Sequence, residues 1–179
     1  MGLRLLVGLV WLISWLPFRA VSVLGWLLGS LIAALPTSRR RIGRVNLRLC
    51  FPDMPEAERE RLLRRHFVAI VQMLLEYGYC WFASPARLRR LMRIEGLEHL
   101  KALDGQQVIL MMPHFTGLDL AGLRVSMETP VVSMYARQKD PWLDALFRAK
   151  RLRLGTGIVV SRQEDRKSTR LNSSHGYIS

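Results

Sequence analysis

The chain has 179 residues, enough for one domain with a sizeable core, and half of them are hydrophobic. Its two cysteines, Cys50 and Cys80, lack C-x-x-C spacing, which argues against a disulfide framework and against a cysteine metal site. The formal charge of +13 calls for an anionic partner: nucleic acid, lipid headgroups or an acidic protein. No zinc-finger or RNP signature supports the first, so no nucleic-acid partner is expected.

Hydrophobicity is concentrated before residue 36. In "LRLLVGLVWLISWLPFRAVSVLGWLLGSLIAALP" the only charges are Arg4 and Arg19. The stretch exceeds the roughly 20 apolar residues of one spanning helix, and Pro17, Phe18 and Arg19 interrupt it. It suits either one tilted span with a kinked amphipathic lead-in or two half-segments dipping into one leaflet. Trp11, Trp15 and Trp26 fit rings held at the headgroup level. Its length and the lack of an A-x-A site argue against a cleaved signal peptide. Residues 1–36 are therefore expected to be a membrane anchor. Arg39, Arg40, Arg41, Arg44 and Arg48 follow it, against a lone Arg4 before, which places the rest of the chain in the cytoplasm.

Residues 37–91 read as a basic helical region. Asp53 as N-cap, Glu56 three residues on and Pro55 in the first turn predict a capped helix running to about Phe82. Its apolar positions Leu62, Leu63, Phe67, Ile70, Val71, Leu74 and Leu75 recur at helical spacing. Arg59, Arg61, Arg64 and Arg65 cluster at its start, as a solvated face or as a contact for lipid or a partner. Ser84 and Pro85 then read as cap and first residue of a short helix through Leu91.

From residue 92 the pattern alternates. "MRIEG" predicts a short strand, "LEHLKALDG" a helix closed by Gly105, and "QVILMM" a buried strand. After the "PHFTG" turn, "LDLAGLRVSM" predicts a helix, "PVVSMYA" a strand, "PWLDALFRAKRL" a helix opened by Pro141, and "GIVVS" a strand. The implied fold class is α/β, a mixed or parallel sheet flanked by helices. "DRKSTRLNSSH", Asp165–His175, breaks the pattern and matches the translation of a widely used sequencing-library adapter. Residues 165–179 are therefore read as a non-native tail, with the natural frame ending near Glu164 and the fold truncated at the C-terminus.

Sites in open α/β sheets gather beyond the carboxyl ends of the strands, where His114 falls, with Asp119 in the first turn of the next helix. If Asp119 accepts from Nδ1, the tautomer is fixed and Nε2 is left as a base for a substrate hydroxyl. That is the base and orienter of a triad, with the nucleophile supplied by the substrate. Gly117 allows close approach, and free N–H groups at the helix start suit an oxyanion or a phosphate. Taken alone, H-x-x-x-x-D fits a hydrogen-bonded histidine near a helix cap better than a catalytic pair. His66, His99 and His175 form no ligand-like spacing with His114, so no metal is expected.

The conjunction of "NLRLCFP", "IEGLEHL" and "PHFTGLD", with "ERERLLRRHF" and "MYARQKDPWLDALFRAKRLRLG", covers nearly all of residues 1–164. It resembles the bacterial lipid A biosynthesis acyltransferases, the lauroyl or myristoyl transferases. The resemblance implies a glycerolipid-acyltransferase-like fold, with residues 92–164 forming the N-terminal part of the acyltransferase domain and further strands and pocket wall supplied beyond them. It also implies a cofactor-free inner-membrane enzyme whose active site faces the cytoplasm. Such an enzyme moves an acyl chain from acyl carrier protein to a hydroxyl of an anionic phosphorylated glycolipid, the lipid A precursor.

By that resemblance His114 is the catalytic histidine of H-x-x-x-x-[DE] and Asp119 its acidic partner. Aspartate at the second position, where many of these enzymes have glutamate, is the form typical of related glycerolipid acyltransferases. Another acceptor, lysophospholipid or ornithine lipid, stays open on that account, as does a non-catalytic, membrane-anchored basic module. The family's phosphate-holding block maps around Arg137, Arg151 and Arg153, although a solvated helix end accounts for the last two equally well. The resemblance further implies an acidic acyl carrier protein, for which the arginine-rich helix near residues 59–65 is the expected docking surface on charge grounds.

Overall fold

A computed structural model describes residues 2–162, so the tail assigned to 165–179 lies outside the described residues. The described residues divide into two compact units. One holds the chain up to Ala83 together with Pro113–Leu118; the other holds Ser84–Met112 and the residues from Asp119 on.

The first unit is helical: α1 (Gly2–Ile13), α2 (Phe18–Ala34), α3 (Ser38–Cys50) and α4 (Glu56–Phe82). The apolar stretch is divided where predicted. The chain tightens into i to i+3 hydrogen bonds at Ser14, Trp15 and Leu16, and Pro17, extended and without an N–H, opens α2. No single described helix is long and apolar enough to cross a membrane. The pair α2 and α3 together has the length and composition, but it is bent by 87°.

Helix α4 is the support on which the other three pack. Val21, Gly25, Gly29 and Ala33, one every fourth residue of α2, are its buried face. A Cβ on Gly29 would lie 2.5 Å from the Cα of Val68, and one on Gly25 would lie 2.5 Å from Gln72 Cγ and 3.1 Å from its Cα. Small residues thus bring the α2 and α4 backbones together, as in tightly packed apolar helix pairs. Where the stripe ends, Ala33 joins Leu63 and Phe67 in a core cluster covered by Leu47 of α3. Near the other end of α4, buried Tyr79 donates its hydroxyl to the carbonyl of Leu16 at 2.7 Å.

The predicted capping box does not form. Helix α4 begins at Glu56, and Pro55, extended at φ −55° and ψ 142°, occupies the cap position with no side-chain hydrogen bond. Pro55 disfavours helical geometry at Met54, so the helix cannot reach back to Asp53. Arg59 secures this corner instead. Its Nη1 donates to the carbonyls of Phe51 at 3.1 Å and Pro52 at 3.2 Å, and also to that of Met54.

The second unit begins with α5 (Pro85–Leu91), capped as predicted by Ser84 Oγ accepting from the N–H of Arg87. Next come α6 (Leu97–Lys101), α7 (Leu118–Ser126), β1 (Val132–Tyr135), α8 (Pro141–Leu152) and β2 (Ile158–Ser161). The β1 and β2 strands pair in parallel from Val132 opposite Ile158 to Tyr135 opposite Ser161, with α8 as the crossover. This is the α/β unit the alternation predicts, and it is the only sheet among the described residues.

Two predicted strands are absent. "MRIEG" forms no ladder: the Met92 carbonyl accepts from Nε of buried Arg124 at 3.2 Å, and Gly96, at φ +73°, turns the chain into α6. "QVILMM" forms no ladder among the described residues. Ile109 and Met111 are 97% and 94% exposed against 41% and 42% for Val108 and Leu110, the two-residue alternation of a strand with one bare side. A buried parallel strand needs neighbours in its own sheet and cover on both faces, and neither β1 nor β2 pairs with this segment.

Candidate active site

His114 lies on the short connection into α7. The chain folds tightly there, with the N–H of Phe115 donating to the Pro113 carbonyl at 2.8 Å and that of Leu118 to the Phe115 carbonyl at 3.1 Å. The imidazole is exposed, and no hydrogen bond reaches it among the described residues. Gly117 directly precedes α7, but a Cβ built on it would meet no atom within 4 Å.

His114 belongs to the first unit, and Asp119 belongs to the second. Within the second, Asp119 sits in the first turn of α7, where a carboxylate is favoured by the helix dipole. Its Oδ1 accepts from Nη2 of Arg151, in the last turn of α8, at 2.7 Å. The side chains are 30% and 34% exposed, so the charge-assisted bond is partly shielded from water. It joins residues 32 apart in sequence. The phosphate role implied for Arg151 thus shares that guanidinium with an internal partner.

The other basic residues implied for phosphate are placed differently. Arg137 is exposed, two residues past the end of β1. Arg153 follows the last turn of α8, and with burial it depresses the pKa of Lys150 below the ordinary lysine value, burial being the larger cause. Lys150, Arg151 and Arg153 therefore concentrate positive charge at one helix end, where it also offsets the helix dipole.

Sequence reasoning missed Asp144. Its two carboxylate oxygens accept from the Tyr135 hydroxyl at 3.2 Å and the Gln138 N–H at 2.8 Å, fixing the loop that carries Arg137. The available signal was an aspartate one turn into the helix that Asp140 and Pro141 open, where Asp140 accepts from the N–H of Leu143. Among the described residues, no group of three or more His, Cys, Asp or Glu side chains is placed to hold a metal ion.

Comparison with known proteins identifies the family. Residues 2–172 match the family model for bacterial lipid A biosynthesis acyltransferases. Over 155 residues, 86% of this chain and 51% of the relative, it is 32% identical to a lipid A biosynthesis lauroyltransferase of Escherichia coli. It is 34% identical over 157 residues, 87% of the chain and 49% of the relative, to a lipid A biosynthesis acyltransferase of Haemophilus influenzae. A lipid A biosynthesis myristoyltransferase of E. coli is 28% identical over 153 residues, 84% of the chain and 47% of that protein. The chain thus spans about half the length of the curated relatives it matches. No solved structure matches it significantly. Since the family match runs through both units and takes in the histidine turn together with α7 and α8, the chain belongs to the bacterial lipid A biosynthesis acyltransferase family.

Proposed function

We propose that the chain carries the acid–base centre of an acyltransferase that moves a fatty acyl group from acyl carrier protein to a hydroxyl of a lipid A precursor. The observation that carries this reading is the 2.7 Å bond from Arg151 to Asp119, five residues past the exposed His114. In it, Nε2 of His114 takes the proton of the acceptor hydroxyl as its oxygen attacks the thioester carbon. Asp119, held by Arg151, accepts from Nδ1–H and steadies the imidazolium that forms. Collapse of the tetrahedral intermediate breaks the C–S bond, and the imidazolium returns the proton to the leaving thiolate. The thioester is already activated, so the protein's task is to deprotonate, align and stabilise the oxyanion. Backbone N–H groups at the head of α7 suit that oxyanion, while Arg137 and Arg153 suit the acceptor's phosphate.

The apolar helices α1 and α2 and the arginines that follow them support an inner-membrane location with the catalytic part facing the cytoplasm. Aspartate at position 119 keeps one rival acceptor class in play, the lysophospholipids. The test is mass spectrometry of lipid A from a strain lacking the full-length gene, complemented with the wild-type, His114→Ala or Asp119→Asn gene. Wild type should restore the missing acyl chain, and His114→Ala should lower transfer by about 10²–10⁴-fold, the usual worth of a general base. An acylation pattern that complementation leaves unchanged refutes lipid A as acceptor, and full activity in His114→Ala refutes the mechanism.

A further inference from the structure

Beside the α2–α4 contact lies a recess of about 480 Å³, and its lining includes Ser30, Arg40, Glu60, Arg61 and Arg64. It shares no lining residue with the His114 turn or with Asp119 and Arg151. Three cations face one anion, because Glu60 is the single acidic residue of the lining. Glu60 is itself engaged by two arginines, Arg40 Nη2 at 3.0 Å and Arg44 Nη2 at 3.0 Å. Among the described residues Arg64 has only neutral partners: it donates to Ser30 Oγ from Nε at 3.3 Å and from Nη2 at 3.1 Å, and its guanidinium stands 5.5 Å from the centre of the Trp26 ring. Arg61 donates to the Ala57 carbonyl at 3.3 Å. Among the described residues, neither of these two guanidinium groups at the recess is hydrogen-bonded to a carboxylate.

The apolar surface beside it indicates the occupant. Leu27, Leu31 and Leu35, one turn apart, are 53%, 62% and 47% exposed and lead to the end of α2 that lines the recess. Trp26, half exposed under Arg64, is the residue type that sits at the level of lipid headgroups. We infer that the recess binds the phosphate of an anionic phospholipid whose acyl chains lie along the exposed leucines of α2, with Arg61 and Arg64 as the phosphate ligands. Charge complementarity and the adjoining apolar stripe favour a lipid over a soluble anion, which would need only the cations. The inference rests on the membrane reading of α1 and α2 but does not use the acyl-transfer step.

Flotation of the purified full chain with vesicles of phosphatidylcholine alone, or with 30% phosphatidylglycerol at about that mole fraction, tests both levels. The chain should bind both, and the anionic vesicles more tightly. Two arginines at a lipid surface are worth about 30-fold, so R61Q/R64Q should lose roughly that factor on anionic vesicles and keep its binding to neutral ones. R90Q/R93Q, with the same charge removed from the other unit, should lose less than about threefold. R61Q and R64Q made singly should each lose about fivefold on anionic vesicles, which keeps the test open if the double variant does not fold. Failure to bind any vesicle overturns the membrane reading and the recess with it. Binding to neutral vesicles with equal losses in the two double variants overturns the recess alone. Displacement from vesicles by glycerol phosphate at matched ionic strength, or a loss in R61Q/R64Q confined to binding an acidic carrier protein, overturns the lipid assignment.

Discussion

Replacing Gly29 with alanine opposes two effects whose sizes the structure separates. In a helix interior the change gains about 1 kcal/mol of propensity. The new methyl, however, would stand 2.5 Å from Val68 Cα, 3.0 Å from its nitrogen and 3.1 Å from the Phe67 carbonyl oxygen, all backbone atoms of α4. No rotamer relieves such a contact; the helices must move apart, which thins packing along Gly25, Gly29 and Ala33. Overpacking costs about 1–3 kcal/mol, and rigid neighbours put this site near the top, leaving a net loss of about 2 kcal/mol. For a chain of this size that lowers Tm by about 4–8 °C. Gly122→Ala is the internal control, because its Cβ meets nothing within 4 Å on α7. It should gain about 0.4–1 kcal/mol. Thermal unfolding of both variants in one detergent, with hydrogen exchange along α2 and α4, reads the contrast. Gly29→Ala as stable as wild type would refute the close contact between α2 and α4.

Arg151→Gln should lower kcat for acyl transfer by about 10²-fold through misplacement of Asp119. It should cost at most about 1 kcal/mol in stability, since the pair is a third exposed, and Arg151→Lys should recover part of the rate. Equal loss of fold and activity would assign Arg151 a structural role only. Burial holds the Glu76 carboxyl above the ordinary glutamate range. The unfolded chain therefore ionises this group first, and Glu76 subtracts stability as pH rises from the unfolded value through the folded one. Glu76→Gln should raise Tm at pH 7 and leave it unchanged near pH 3.5; the reverse order in melts at the two pH values would remove burial as the cause.

Legibility in the sequence followed the range of the interactions. Helices α4, α5, α7 and α8 and strands β1 and β2 were readable because caps, prolines and periodicity act within a few residues. The α4 start was displaced by Pro55, a local effect that the capping-box pattern outweighed in the reading. "QVILMM" was misread for a different reason: its composition describes a strand with neighbours, and composition cannot say whether those neighbours are present. The small-residue stripe of α2 was in plain view as Val21, Gly25, Gly29 and Ala33, yet it was hidden inside a stretch read only for its hydrophobicity. His114 and Asp119 were read as a pair from spacing and resemblance. Arg151 was singled out for a phosphate role by the resemblance, and its bond to Asp119 spans too much chain for any local pattern to reveal.

The arginines carry the same lesson further. A charge of +13 suggests one basic surface, and the run from Arg39 to Arg65 looks like its centre. In the folded chain these residues divide by partner. Arg40 and Arg44 share Glu60, whose carboxyl they hold below the ordinary glutamate range, the Arg44 hydrogen bond being the largest cause. Through Glu60 they tie α3 to α4, so their charge is largely spent within the fold. Arg59 is turned onto the backbone between those helices and serves as a clamp. Arg61 and Arg64 keep their charge beside an apolar helix face. An acidic partner, whether lipid or carrier protein, therefore meets a much smaller set of cations than the composition counts, and substitutions at Arg44 and Arg64 should differ in kind: the first loosens α3, and the second weakens the response to anionic surfaces.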